Sequence, residues 1–500
     1  MKTEIDELRR YLQTITALEQ AAFVLMWDQA TYMPAAGGHA RGAQLAAIKQ
    51  EAHQRATSPA LGRLLDTLDA APGLDAENAA MVRVARRDYE IRRQVPAALV
   101  RRIARAHVAS HMAWEAARAA NDFAVATKAL EKNLELSRAY AACFPGAAHV
   151  ADPLIDISDP GQTVAQVGPM FEGLRKELVP LVRAVQAADA PRAVPRGRYP
   201  QADQIAFSRQ VATAIGYDFG RGRLDLSTHP FTVAVSADDV RITTRVREDD
   251  FSECLFSTVH EAGHGIYEQG IDRAFAGTPV AEGASAGLHE SQSRLWENLV
   301  ARSRPFWEHF YPRLQATFPE PLAGLELDGF LRAINRVRPS LIRTDADEVT
   351  YNLHVMMRFD LELELLSGAL AVRDLPEAWV ARMEADLGVT PPDHNLGALQ
   401  DLHWFDGHVG GAFQGYTLGN VYSAQLFEAA CRAHPDIVPH MAQGRFDTLR
   451  GWLTANVHRF GRAKTAAQVI ADATGGAPDS APYVAYLKRK YGAMYGLPVA

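Results

Sequence analysis

His260 and His264 stand four residues apart in the stretch Ser257-Thr258-Val259-His260-Glu261-Ala262-Gly263-His264. On a helix that spacing stacks two imidazoles one turn apart on a single face. Two neutral imidazoles so placed can hold Zn²⁺, and Glu261 beside them can take a proton from the water that the metal activates. Catalytic zinc keeps three protein ligands and one open position, so a third ligand is required. Glu290 is the candidate, because Leu288, Ser291, Leu295 and Trp296 around it recur at helical spacing. The pentapeptide alone also arises by chance in helices that hold no metal. Cys254-Leu255-Phe256 before it and Gly263 within it read as a buried helix packed closely on a neighbour. Together with Glu290, the pattern points to metal-assisted hydrolysis.

The elements that must position these groups are mostly helical. Residues 1 to about 145 are rich in Ala, Leu, Arg and Glu, with an apolar stripe at Leu8, Leu12, Ile15, Leu18, Ala22 and Leu25. The first helix is expected to end before Pro34, and others to run over Arg41–Ala56, Asp75–Ala117, Asp122–Cys143 and about 163–187. Asp152-Pro153, Asp159-Pro160-Gly161 and the Pro/Arg-rich piece 191–200 read as loops. At Thr228 the period changes. Phe231, Val233 and Val235 alternate, Ser236 to Asp239 supplies a turn, and Val240, Ile242 and Thr244 alternate again, which predicts a β-hairpin just before the histidine helix. In a peptidase, such a strand edge suits pairing with an extended peptide.

At 500 residues the chain has ample length for a sizeable core. It is 48% hydrophobic and 22% charged with net charge −7, and it carries no basic stripe interleaved with aromatics. Nucleic acid and anionic membranes are therefore not expected as partners. Cys143, Cys254 and Cys431 are odd in number and widely spaced, which suits a reducing compartment. The charged N-terminus lacks the apolar core of a signal peptide, and no run reaches membrane-spanning length. A cytoplasmic location is expected.

Beyond the hairpin, reactive side chains concentrate in Ile342-Arg343-Thr344-Asp345-Ala346-Asp347-Glu348-Val349-Thr350-Tyr351-Asn352, in Gly397-Ala398-Leu399-Gln400-Asp401-Leu402-His403-Trp404, and in Tyr416-Thr417-Leu418-Gly419-Asn420. Together with His229-Pro230-Phe231, Asp239-Val240-Arg241-Ile242-Thr243, His260 to His264 and His289-Glu290-Ser291-Gln292, they occur in the order of the thermostable carboxypeptidase Taq (M32) family, which the chain resembles over most of its length.

The resemblance implies a mainly α, bilobed, zincin-like metallopeptidase with a deep central groove and a small β-sheet beside the HExxH helix. The whole chain, 1–500, is then one bilobed unit. Its largely helical part is 1–200, and 201–500 carries the zinc site and groove. The resemblance further implies release of single C-terminal residues from peptides with a free C-terminus, broad side-chain tolerance, C-terminal proline disfavoured, and a homodimer. Zn²⁺, with Co²⁺ as an alternative, is held by His260, His264 and Glu290, with Glu261 as general base.

A carboxypeptidase must also read the free carboxylate, for which arginine's planar fork is suited. The resemblance favours Arg343, with Arg241 a weaker candidate that could equally pair with Asp239. Tyr416 and His403 are both candidates for stabilising the oxyanion. Asp345, Asp347 and Asp401 could orient ligands or Arg343, while His229 and Phe231 are expected to shape the groove. One departure is the approach to Tyr416, Gly410-Gly411-Ala412-Phe413-Gln414-Gly415, which lacks the family's aromatic, proline-containing run. The alternatives are a zinc endo-oligopeptidase of related helical fold, a zinc aminopeptidase, and a non-catalytic peptide-binding protein.

Overall fold

Leu8, Leu12 and Ile15 are buried along one face of α1 (Lys2–Thr31), which stops three residues short of Pro34. The computed structural model describes residues 2–188 and 193–497, so positions 191 and 192 of the anticipated loop lie outside the described residues. After α1 come α2 (Gly38–Ala56), α3 (Pro59–Asp69), α4 (Ala76–Gln94), α5 (Ala97–Ala120) and α6 (Ala124–Ala141). Two features here differ from expectation. The helix α3 was not anticipated, although Ser58 caps it by accepting from the Leu61 N–H and Pro59 opens it, a standard helix start. The single helix expected over Asp75–Ala117 is broken. Pro96 has no N–H to continue α4 and forces Val95 into extended backbone, with φ −88° and ψ 114°.

The chain continues through α7 (Asp152–Ser158), α8 (Val164–Ala187) and α9 (Gln201–Ile215) into a three-stranded sheet. The predicted hairpin is β2 (Thr232–Ser236) and β3 (Asp239–Thr244), antiparallel, with Thr232 opposite Ile242 and a register shift between Ala234 and Ser236. The sequence reading missed β1 (Gly222–Leu226), which pairs parallel with β3 on its other side. Five residues are too few for alternation to declare themselves. The strand order β1-β3-β2 leaves β2 on the outside.

Next come α10 (Ser252–Gln269) and α11 (Ala286–Arg294), the latter running into one π-helical turn over Leu295–Val300. The rest is helical: α12 (Arg304–Thr317), α13 (Leu327–Ile334), α14 (Tyr351–Ser367), α15 (Leu375–Leu387), α16 (His403–Asp406), α17 (Gln414–Ala433), α18 (Ile437–Ala442), α19 (Asp447–Asn456), α20 (Ala466–Thr474) and α21 (Ala481–Tyr495). Among the described residues, no helix is long and apolar enough to cross a membrane.

Two apolar cores hold these elements. The smaller joins α1, α3 and α4 and includes Leu8, Leu65 and Val84, with Val280 packed into it. The larger begins at Val95 and takes in helices α5 to α21 and Ile242 of β3. The helical portion 1–200 therefore contributes to both.

Candidate metal centre and carboxylate pocket

The helix α10 is buried along most of its length, and Gly263 lets α11 approach it closely. A Cβ on Gly263 would stand 2.7 Å from the Gln292 carbonyl oxygen and from Ser293 Cα. On the far side of α11, Gly419 of α17 does the same job, since a Cβ there would meet Glu290 Cγ at 2.5 Å. The N-terminus of α11 is fixed by Ser285 Oγ, which accepts from the Leu288 N–H at 3.0 Å, and by Asp159, which accepts from the Gly287 N–H at 2.7 Å. Held on both flanks, α11 delivers Glu290 to the two histidines.

The ligand atoms of His260, His264 and Glu290 all lie within 4.8 Å of one another. Glu290 Oε2 is 3.6 Å from His260 Nε2 and 3.3 Å from His264 Nε2. Both histidines use their other nitrogen elsewhere. His260 Nδ1 is 2.9 Å from Glu297 Oε2, and His264 Nδ1 is 2.5 Å from His289 Nδ1, whose Nε2 is 2.7 Å from Glu268 Oε1. A consistent proton assignment has each Nδ1–H of the pair donating outward, so that both Nε2 atoms present lone pairs to one point. Burial, above all, keeps His264 neutral by lowering its pKa to about 3. Burial alone would raise Glu290, but the Arg294 guanidinium above all outweighs it and holds the carboxylate ionised. Two imidazole nitrogens and one carboxylate oxygen, each backed by a further hydrogen bond, form a donor set that fits a divalent ion with an open coordination position.

Glu261 is 6% exposed and accepts a 2.6 Å hydrogen bond on Oε2 from Thr232 Oγ1, on the outer strand. Its pKa is raised, burial outweighing His260 and Thr232. His289 also borders a cavity of about 730 Å³ between α4, α6, α7 and the loop before α11, lined in part by Arg87, Tyr140, Asp156 and Glu282.

A second cluster surrounds Arg343, itself 6% exposed. Its Nε and Nη2 donate to Asp401 Oδ1 at 3.2 and 2.9 Å, and its Nη1 donates to the Tyr351 hydroxyl at 3.1 Å. A guanidinium has five N–H donors, so with three engaged one remains on each terminal nitrogen. The other oxygen of Asp401 accepts from the fully buried Arg358. Burial would raise Asp401, but the two arginines hold it far below the usual carboxylate range. His403 Nε2 is 3.1 Å from the Tyr416 hydroxyl, and its Nδ1 is 3.6 Å from Asp401. Burial pushes the Tyr416 pKa well up, so its hydroxyl keeps its proton as a donor.

The glycine pair before Tyr416 has a definite job. Gly410 and Gly411 both adopt positive φ, 103° and 84°, and a Cβ on Gly411 would stand 2.1 Å from the Leu154 carbonyl oxygen. That tight turn sets Phe413 against His403, ring centroids 4.6 Å apart, and brings Tyr416 beside Arg343.

His229 is exposed on one side and crowded on the other. That crowding, then the positive field of Arg343, lowers its pKa. Phe231 is half-buried, its backbone tied to Thr243. Arg241 is not brought into either cluster. It makes a two-pronged pair with Asp239, at 2.8 and 2.7 Å, and lies 4.5 Å over Trp27 of α1, clasping that helix to the sheet. Of the three anticipated aspartates only Asp401 orients Arg343. Asp347 accepts from the N–H groups of Val349 and Thr350 at the start of α14, and Asp345 is exposed.

Sequence reasoning gave no role to Glu297, Glu268, Thr232, Arg294 or Tyr351. Three of them carried a signal: Glu268 lies four residues after His264, and Arg294 and Glu297 lie four and seven after Glu290, each on the helical face of its ligand.

Residues 7–491 match the family model described as carboxypeptidase Taq (M32) metallopeptidase. The chain is 39% identical to "Thermostable carboxypeptidase 1" of Thermus thermophilus, covering 99% of this chain and 98% of the relative. It is 34% identical to "Carboxypeptidase 1" of Bacillus subtilis, covering 97% of each. The fold is similar to the crystal structure of an M32 carboxypeptidase from Deinococcus radiodurans, with TM-score 0.97, 48% identity, and 99% and 100% of the two chains covered.

Proposed function

This chain belongs to the carboxypeptidase Taq (M32) metallopeptidase family and is a metallocarboxypeptidase, and we propose that it releases single residues from the free C-terminus of peptides, with broad side-chain tolerance and C-terminal proline disfavoured. The observation that carries the reading is the convergence of His260, His264 and Glu290 on one point, linked through Arg294 and Tyr351 to an Arg343 with two side-chain N–H donors not engaged among the described residues. We assign zinc as the ion, because two imidazoles and a carboxylate with an open position are a common catalytic zinc set; Co²⁺ fits the same donors.

When bound, the ion supplies Lewis acidity, polarising the scissile carbonyl and acidifying the attacking water. Glu261 accepts the proton of that water as the new C–O bond forms. It then delivers the proton to the leaving nitrogen as the C–N bond breaks. Thr232 fixes its Oε2, and burial raises its pKa above the usual carboxylate value. The Tyr416 O–H, steadied by His403, donates to the carbonyl oxygen as charge develops there. Arg343, held by Asp401, donates its two remaining N–H groups to the substrate's terminal carboxylate. His229 and Phe231 border the groove, and the outer edge of β2 supports pairing with the extended peptide. The homodimer and the cytoplasmic location rest on the family resemblance and on composition.

Glu261→Gln tests the chemistry. It keeps the shape of the side chain and removes the base, so the variant is expected to bind Zn²⁺ as the wild type does and to lose turnover by at least about 10²-fold. Substantial remaining turnover would sink the assignment.

A further inference from the structure

Arg294 has no part in the reaction as set out above, yet it touches more of the site than any ligand does. Its Nε donates to Glu290 Oε1 at 2.7 Å, and its Nη1 donates to Glu297 Oε2 at 3.2 Å. That same Oε2 holds His260 Nδ1 at 2.9 Å. Its guanidinium lies 4.4 Å over the ring of Tyr351, whose hydroxyl accepts from Arg343 Nη1 at 3.1 Å. The Tyr351 ring in turn meets Tyr416 edge-on, centroids 6.3 Å apart. With a side chain only 15% exposed, Arg294 makes these contacts largely out of water, where they are worth most.

We infer that Arg294 is a positioning residue with two jobs: it restricts Glu290 to one-oxygen ligation, and it sets the metal cluster in register with the carboxylate-reading Arg343. The first job follows from the division of the carboxylate. Oε1 is occupied by Arg294, while Oε2 alone faces the two Nε2 atoms. A carboxylate freed from that contact could swing both oxygens onto the ion and fill the position a substrate carbonyl needs. The second job follows from the stack. A planar guanidinium can bond two carboxylates along its edges while its face rests on Tyr351, and Tyr351 is the hydrogen-bonded neighbour of Arg343. An ammonium can supply the charge but cannot do both. The second job rests on the proposed reading of the C-terminal carboxylate; the first does not.

The test uses the full chain carrying Arg294→Met and Arg294→Lys, with circular dichroism to establish folding. Zn²⁺ and Co²⁺ affinities are measured by competition with a chromophoric chelator, and the Co²⁺-loaded proteins are compared by visible absorption. For Arg294→Met the expected result is a 10- to 100-fold loss of metal affinity, about the range for partners of metal ligands. Its Co²⁺ bands should weaken as coordination rises. Arg294→Lys should recover affinity to within about tenfold but retain a raised KM for free peptides at saturating metal. If Arg294→Met does not fold, the lysine variant alone decides, through its spectrum and its KM. Wild-type affinity together with a wild-type Co²⁺ spectrum in folded Arg294→Met would overturn the first job, and a wild-type KM in Arg294→Lys would overturn the second. Should the wild type fail to trim free C-termini, the proposed function falls, and the metal measurements still judge Arg294.

Discussion

Replacing Gly419 with alanine perturbs the metal centre without removing any polar group. The added Cβ would stand 2.5 Å from Glu290 Cγ, 2.6 Å from its Cβ and 3.0 Å from its backbone carbon. Carbon atoms in good contact sit about 3.5–4.0 Å apart, so α17 and α11 must part by roughly 1 Å. The side chain of Glu290 cannot absorb this alone, because its backbone carbon is among the atoms struck. Overpacking of this kind costs about 1–3 kcal/mol. A misplacement of about 1 Å in a catalytic constellation costs on the order of 10²-fold in rate. The variant should therefore melt at lower temperature even with metal chelated, bind Zn²⁺ more weakly, and lose about 10²-fold in kcat/KM. Gly451→Ala is the control, since a Cβ there meets nothing within 4 Å; it should leave activity unchanged. Thermal melts with and without chelator, chelator competition and peptide kinetics on both variants make the assay. Wild-type metal affinity and kcat/KM in Gly419→Ala would refute the argument that glycines on both flanks of α11 set the position of Glu290.

Arg343→Ala should lower kcat/KM for peptides with a free C-terminus by about 10²- to 10⁴-fold, since two hydrogen bonds to a charged group are lost at about 1.5–3 kcal/mol each. Arg343→Lys should recover only part of that loss; recovery to wild-type kinetics would show that a point charge suffices. His458 is fully buried, with Nε2 2.9 Å from Gln292 Oε1, and burial lowers its pKa to about 3. In the unfolded chain its value is about 6.5, so as pH falls below that the unfolded state takes a proton which the folded state refuses. The resulting loss of stability begins near pH 6.5 and reaches about 2 kcal/mol by pH 5, at 1.36 kcal/mol per unit. Urea unfolding with chelator present should show the wild type losing about 2 kcal/mol more than His458→Gln between pH 7 and pH 5. Parallel pH profiles would contradict it.

The parts of the site that were legible in sequence are those whose geometry is set within one helix. His260 and His264 at four-residue spacing, and Gly263 between them, fix a face and a close approach with no knowledge of the neighbour. Glu290 could be named but not aimed, because its aim depends on Gly419, which lies 129 positions further on. The carboxylate pocket was legible only through ordered motifs. Nothing local to Arg343 shows that Asp401 is its partner, or that Arg358 shares that aspartate. Arg241 and Asp239 sit two apart on β3, which allowed an ion pair as readily as a substrate contact, and it took the position of Trp27 to show what the pair holds. The fold itself divided the same way. Long amphipathic helices and the hairpin were visible, and the break at Pro96 was written locally in a proline that was passed over, while the five-residue β1 needed its partner β3 to decide it.

The most direct test of the central claim is mass-spectrometric digestion of matched peptides with free and amidated C-termini, in the presence of Zn²⁺, of Co²⁺, or of chelator. The account predicts metal-dependent ladders that lose one C-terminal residue at a time, from free ends only. Internal fragments, or equal cleavage of the amidated peptides, would contradict it.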